Sequence, residues 1–419
     1  MDRTRPLLVP IALLATAIAL AATLAGHPAP ASGATAQRPN LVVVMTDDQT
    51  YADMAAMPLT RRLIGGAGAT FTRAYVSYPL CCPSRATFLT GQYAHNHGVR
   101  TNAPPDGGYE ALDGDHTLPV WLRAAGYRTA HIGKYLNGYG LRRAANVPPG
   151  WTEWHGAVDK STYQMWGYTL NDNGELRSYG DFLAEDPPLY QTDVLRDRAV
   201  QTILEHEGPA PLFLSLAFVA PHGEVTQPGT TTQPFVRPAP RHRDRYAGLE
   251  LPLPRSFDEA DVRDKPPHVR RLRRLSLYAQ ERIAEDFAAR RESLLAVDEA
   301  VAAIVGALEQ RGELDSTYVL FTSDNGFLQG EHRIPKGKYY AYEPSSHVPL
   351  LVRGPGIRPR SVSRELVSNV DLAPTLLEAA GATADRAVDG RSLLAFARDP
   401  RLRTNRPLPR KWRTGRPKT

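Results

Sequence analysis

The chain has 419 residues, 42% of them apolar, with 36 prolines and only two cysteines. That apolar fraction supports a large packed core and excludes a chain disordered throughout, while two adjacent cysteines exclude a disulfide scaffold. The formal net charge of +6 does not indicate nucleic acid: the last twenty residues carry eight Arg/Lys and no acid, so the remainder balances at 6 − 8 = −2.

In chain order, the N-terminus reads "MDRTRP", then an uncharged apolar stretch from Leu7 to Gly26, then small residues ending "ASGATA". This describes a secretory signal peptide over residues 1–36. An uncleaved anchor of the same twenty residues is the alternative and the only membrane attachment foreseen. The expected location is therefore secreted or extracytoplasmic. The remaining 383 residues (419 − 36) exceed an ordinary domain, but α/β enzymes of this size build around one large sheet. We expect a catalytic domain over 37–395 and a basic tail, disordered for want of apolar residues, over 396–419.

Four β-branched runs then end in polar residues. "LVVVM" (41–45) leads into Asp47 and Asp48, and "TAHIG" (129–133) into Lys134. "PLFLSLAFV" (211–219) leads into His222, and "TYVLFT" (317–322) into Asp324 and Asn325. Helical patterns alternate with these strands, including Leu294, Val297, Val301, Ile304 and Leu308 at helical spacing. Open α/β sheets bind ligands outside the carboxyl ends of their strands, so these polar residues should share one rim. Each alone reads equally as a turn or cap residue. Together, three carboxylates and an amide oxygen suit a hard cation such as calcium or magnesium, and the lysine and histidine suit an anionic substrate. Between His222 and the long helix, Val225 to Pro267 holds eight prolines. It forms either a loop over the pocket or a solvated insertion.

The cysteines sit in "LCCPSRATFLTG" (80–91). Neighbouring residues do not form an ordinary disulfide, and two thiols do not fill a zinc site. Pro83 is placed as the first residue of a helix that Gly91 ends. A cysteine ahead of it is either a core thiol or a thiolate favoured by the helix N-terminus.

Residues 81–85, Cys-Cys-Pro-Ser-Arg, followed by Thr90-Gly91, resemble the C-x-P-x-R…TG motif of type I sulfatases. The resemblance extends over about residues 38–395 through "GKYLNGYG", "APH", "TSDNG", "GKYYAYE" and "NVDLAPTLLEAAG". Within the family the motifs are most similar to N-acetylglucosamine-6-sulfatases and related glycan sulfatases. The resemblance implies an alkaline-phosphatase-like α/β fold, a mostly parallel sheet sandwiched by helices. It implies that a separate formylglycine-generating enzyme oxidises Cys81 to formylglycine before export, with Cys82 at the variable position. It further implies calcium held by Asp47, Asp48, Asp324, Asn325 and the modified Cys81. Arg85 would offset charge at residue 81, and Lys134, His222 and Lys338 would contact the sulfate of a sulfated carbohydrate. Lys336 competes with Lys338, but only Lys338 lies in the G-K-x-x-x-Y-E frame. Two departures stand out: Leu136 replaces a histidine that many relatives carry, and the small C-terminal subdomain of relatives is expected to be missing. The rival readings are a phosphonate or phosphate-ester hydrolase of the same superfamily and an inactive glycan-binding homologue.

Overall fold

The computed structural model describes residues 38–225 and 235–409. The signal segment lies outside the described residues. Among those described, no helix is long and apolar enough to cross a membrane.

The strands are β1 (Asn40–Thr46), β2 (Ala69–Phe71), β3 (Ala74–Tyr75), β4 (Arg128–Gly133), β5 (Glu153–Ala157) and β6 (Tyr168–Asp172). They continue with β7 (Glu175–Tyr179), β8 (Leu212–Ala217), β9 (Thr317–Ser323), β10 (Leu350–Arg353), β11 (Ser361–Ser363) and β12 (Val367–Ser368). Ten of them form one mixed sheet in the order β11-β2-β10-β9-β1-β8-β4-β5-β6-β7, and β3 pairs with β12. The centre is parallel: β1 lies between β8 and β9, and β4 between β8 and β5. Antiparallel pairs, β10 on β9 and β6 on β5, extend it towards both edges.

Every residue of β1 is buried, as a strand covered on both faces requires. Its side chains alternate between two cores. Leu41, Val43 and Met45 join Trp121, Tyr135, Trp154 and Leu376 on one face. Val42 and Val44 join Leu195, Leu294, Val297, Val301 and Ile304 on the other. Full burial of one such aliphatic side chain is worth about 1.5–3 kcal/mol, so the sheet's two faces carry most of the stabilisation. The second face is covered by the helix Leu277–Gln310, opened by Ser276, whose hydroxyl accepts from Ala279 N at 3.2 Å.

The C-terminus departs from expectation. The helix Leu394–Arg398 crosses the foreseen boundary at 395 and buries Phe396 and Ala397 in the first core. Beyond it, Thr404 N donates to Glu365 Oε2 at 2.8 Å and Arg406 Nη1 pairs with Asp371 Oδ1 at 2.7 Å. Glu365 and Asp371 are both buried. As far as residue 409, then, the segment is held although few of its residues are apolar, because its polar groups add partners to two buried carboxylates.

Candidate active site

The parallel strands put the predicted polar residues on one rim. Asp47 and Asp48 follow β1, Asp324 and Asn325 follow β9, and Lys134 follows β4. Asp48 takes a positive φ of 68°, which turns the chain back so that its amide donates to Asp324 Oδ1 at 3.2 Å. A non-glycine residue held there stores strain, a recurrent feature of functional sites. Gly133, at φ 98°, is required for a different reason: a Cβ there would lie 2.1 Å from Ala217 O on the next strand. Only a glycine lets Lys134 turn into the site at this point.

Cys81 enters from a helix that begins two residues earlier than Pro83. It spans Cys81–Thr90, after Leu80 in extended conformation, and Gly91 closes it at φ 64°. Pro83 is tolerated at its third position because amides of the first turn have no partner within the helix. The earlier start decides the cysteines' fates, since successive helical residues diverge by about 100°. Cys81 Sγ lies 2.9 Å from Lys338 Nζ and 3.6 Å from Asp47 Oδ1. Cys82 Sγ turns away and accepts from Asn137 N at 3.1 Å, within the core.

Around Cys81 the charges interlock. Lys134 Nζ donates to Asp47 and Lys338 Nζ to Asp48. Arg85 Nε donates to Asp324 Oδ2 at 2.8 Å, and its Nη1 donates to Lys134 O at 2.8 Å. His222 Nε2 lies 3.6 Å from Asp48 Oδ2. Its Nδ1 lies 2.6 Å from Gly223 O, a pure acceptor, so Nδ1 carries the hydrogen. All nine predicted residues therefore meet in one place. Lys336 is exposed, whereas Lys338 is buried with its Nζ 2.9 Å from Cys81 Sγ. Leu136 is buried in the first core and supplies no titratable group.

The electrostatics follow from burial opposed by these partners. Burial raises the Asp47 pKa, but the cationic Lys134, Lys338 and Arg85 outweigh it and hold the carboxyl well below its usual value. Asp324 is pushed up by burial and by Asp47, against Arg85. Burial, with Asp47, pushes the Cys81 thiol up to about 11, which argues against a thiolate nucleophile. Burial lowers His222 to about 4, leaving a neutral imidazole. Burial disfavours the charged form of Lys338, yet Asp48 and Asp47 raise its pKa well above normal.

The oxygen donors fit a hard cation. The Asp47 and Asp48 carboxylates lie in one cluster with Cys81 Sγ and a His222 nitrogen, all within 4.8 Å of one another. Asn325 Oδ1 is buried and has no hydrogen-bond partner, although its Nδ2 donates to Asp48 Oδ1 at 2.5 Å. An orphaned amide oxygen among carboxylates is what an oxygen-seeking cation would satisfy.

Two contributors escaped the sequence reading. Tyr163 lies under Lys134 Nζ, 4.5 Å from the ring centroid, and packs on the His222 ring at 4.5 Å, forming a wall between them. No local motif marks it. Arg290 is buried in the long helix; Nη2 donates to Asp48 O at 2.6 Å and Nη1 to Pro221 O at 3.0 Å. It ties the two turns that carry Asp48 and His222. A signal existed here, because Arg290 continues the apolar series 294, 297, 301 by one step of four.

Carboxylate, amide and lysine side chains thus gather at the strand ends of an alkaline-phosphatase-like α/β fold. Residues 39–382 match the model of the family described as Sulfatase. The chain belongs to the sulfatase family. It is 36% identical to human N-acetylglucosamine-6-sulfatase over 374 residues, covering 86% of this chain and 65% of that protein. It is 34% identical to the extracellular sulfatase SULF-1 homolog of Drosophila melanogaster over 386 residues, covering 90% of this chain and 32% of that protein. The chain thus spans less than two thirds of the length of these relatives. The solved structure of BT4656 in complex with its substrate D-glucosamine-2-N,6-O-disulfate superposes with a TM-score of 0.70 at 25% identity, covering 90% of this chain and 82% of that one.

Proposed function

We propose that this chain hydrolyses sulfate monoesters on sulfated sugars, with N-acetylglucosamine 6-sulfate as the preferred unit, outside the cytoplasm. The observation that carries the reading is the selective placement of Cys81 against Lys338 and Asp47 while its neighbour Cys82 faces the core. Formylglycine made from Cys81 would supply a nucleophilic oxygen where Sγ now lies, and calcium, held by Asp47, Asp48, Asp324 and Asn325, would supply a Lewis acid. The protein's own residues do the rest. Lys134, His222 and Lys338 bind the sulfate and offset the charge that moves during S–O cleavage. Arg85 fixes Asp324 and stabilises charge at residue 81. Lys338, kept protonated by Asp48 and Asp47, is the proton source for the departing sugar oxygen. Neutral His222 presents Nε2 to the site. The substrate reading is supported by the glucosamine-sulfate sulfatases among its relatives, and the extracytoplasmic reading by the N-terminal apolar segment and the extracellular relative.

Peptide mass spectrometry across residues 74–100 tests the nucleophile, with Cys81 converted and Cys82 intact as the expected result. Specificity constants test the substrate. N-acetylglucosamine 6-sulfate should exceed a simple aryl sulfate, because buried groups built to pair with sugar hydroxyls are left unpaired by an aryl ring. A faster aryl sulfate would reverse the assignment.

A further inference from the structure

The loop carrying Lys338 supports a charged surface that the sulfate pocket does not use. Residues 268–274 read His-Val-Arg-Arg-Leu-Arg-Arg, and all four arginines are exposed. Arg274 is engaged, its Nε donating to Asp258 Oδ2 at 2.6 Å. The acids that precede the run are engaged as well: Asp261 with Arg263, Asp264 with Lys265, and Glu259 with Lys265 and His332. Among the described residues, Arg270, Arg271 and Arg273 have no carboxylate at ion-pair distance.

The inner side of this segment is anchored. Val269 is buried with Leu328 and Ile334, and His268 stacks on Tyr340 with ring centroids 5.3 Å apart. Arg333 Nη1 donates to Leu272 O at 3.0 Å. Leu328 in turn exchanges backbone hydrogen bonds with Gly337 at 2.6 and 3.1 Å, and Gly337 immediately precedes Lys338. The three arginines are thus mounted, through one layer of packing, on the loop that brings the ammonium group to Cys81. Grouped like charges repel one another, and a merely solvated turn gains nothing from them. Guanidinium forks match the paired oxygens of sulfate and carboxylate groups.

We propose that Arg270, Arg271 and Arg273 form a docking surface for a sulfated polysaccharide, holding anionic groups of the chain beyond the unit whose ester enters the pocket. The proposal rests on the sulfate-ester reading of that pocket. A nucleic acid fits less well, because outside the last twenty residues the formal net charge is 6 − 8 = −2.

The test compares the full-length protein, bearing formylglycine, with Arg270→Ser/Arg271→Ser/Arg273→Ser. The substrates are N-acetylglucosamine 6-sulfate and a heparan sulfate chain, and elution from heparin-agarose is read alongside. Each exposed charge contact is worth roughly a two- to threefold factor, so KM for the chain should rise about tenfold. kcat on the chain should hold, both constants on the monosaccharide should stay within about twofold, and the variant should leave heparin at lower salt. An unchanged KM for the chain together with unchanged elution overturns the surface. An equal loss on the monosaccharide also overturns it, since the substitutions would then act on the pocket itself. Duplex DNA that displaces the protein from heparin as well as free heparin does, at equal charge, overturns the sulfated glycan as the partner. If the unaltered protein desulfates neither substrate, the sulfatase reading fails, while the elution shift still decides the surface.

Discussion

Two clusters of buried charge occupy the same sheet, one at the strand ends around Cys81 and one near its β7 edge, and they differ in how completely they are satisfied. At the edge, His155 Nδ1 pairs with Asp172 Oδ1 at 2.7 Å and Nε2 with Glu153 Oε1 at 3.2 Å. Arg128 and the Thr202 hydroxyl complete Glu153, and Arg198 and Tyr179 complete Asp172. No side-chain atom of these seven groups is left buried without a hydrogen-bond partner. At the rim, Asn325 Oδ1 and Arg85 Nη2 are both buried and lack one. A closed network is a structural device, whereas polar atoms left unpaired beside carboxylates are free to take a ligand. Counting charges would not have separated the two; counting unsatisfied atoms does.

The largest expected effect breaks the rim at the proposed nucleophile. Cys81→Ala should reduce turnover to background, while Cys82→Ala should keep most activity and lose about 1–2 kcal/mol of stability for its vacated core volume. Equal activity in the two variants, measured on protein of verified modification, would remove the mechanism.

Next, the rim should gain stability from calcium and the edge should not. Melting curves of the intact protein should shift upward with calcium, by the equivalent of about 2.7 kcal/mol at a hundredfold excess over Kd. Asp324→Ala should abolish that shift together with activity, and Asp172→Asn should leave the shift intact. A full calcium response in Asp324→Ala would return Asp324 to a turn residue.

The edge cluster should respond to pH instead. Burial lowers the His155 pKa, but its hydrogen bonds to Asp172 and Glu153 outweigh that and raise it above 6.5. Its contribution is therefore complete below pH 6.5 and lost as pH rises through the raised value. Burial raises Glu153, but His155, Thr202 and Arg128 bring it from 4.5 to about 2. Asp172 is likewise lowered from 3.8 against burial, chiefly by His155. These carboxylates contribute above their unfolded values and lose their effect as pH falls. The stability difference between the intact protein and His155→Gln should thus be greatest between pH 4.5 and 6.5, at about 1–3 kcal/mol, with kcat unaffected. A difference independent of pH would show that His155 is held by packing alone.

The smallest effect concerns the C-terminal segment. Arg406→Ala leaves the buried Asp371 carboxylate without its ion-pair partner, although Ser368 N and Arg391 N still donate to it at 2.9 and 3.0 Å. A loss of about 1 kcal/mol is expected, visible as a small fall in Tm with activity retained. No change at all would mean that the segment is not held there in solution.

Much of this site was legible from the chain order alone. The β-branched runs of β1, β4, β8 and β9 specify buried parallel strands, and the polar residues after them must then emerge on one rim, because parallel strands all end on the same side. The Cys-x-Pro-x-Arg segment is local, and so is its signal. The apolar period of the long helix likewise placed Leu294, Val297 and Val301 against the sheet. What tertiary structure decided is whatever depends on distance through space. Pro83 signalled a helix start, but the first turn reached back to Cys81, because the turn's orphan amides found partners such as Asn102 Oδ1, 3.0 Å from Cys82 N. Tyr163 became the wall of the pocket through the path of a loop that carries no motif. The C-terminal segment looked free because apolar burial was the only force its composition could reveal. Whether Thr404 and Arg406 meet the buried Glu365 and Asp371 depends on carboxylates 39 and 35 residues away in the chain. Sequence periodicity reports which face of an element is buried, but it does not report which buried polar groups a distant segment will reach, and those contacts hold the tail and gather the residues around Cys81.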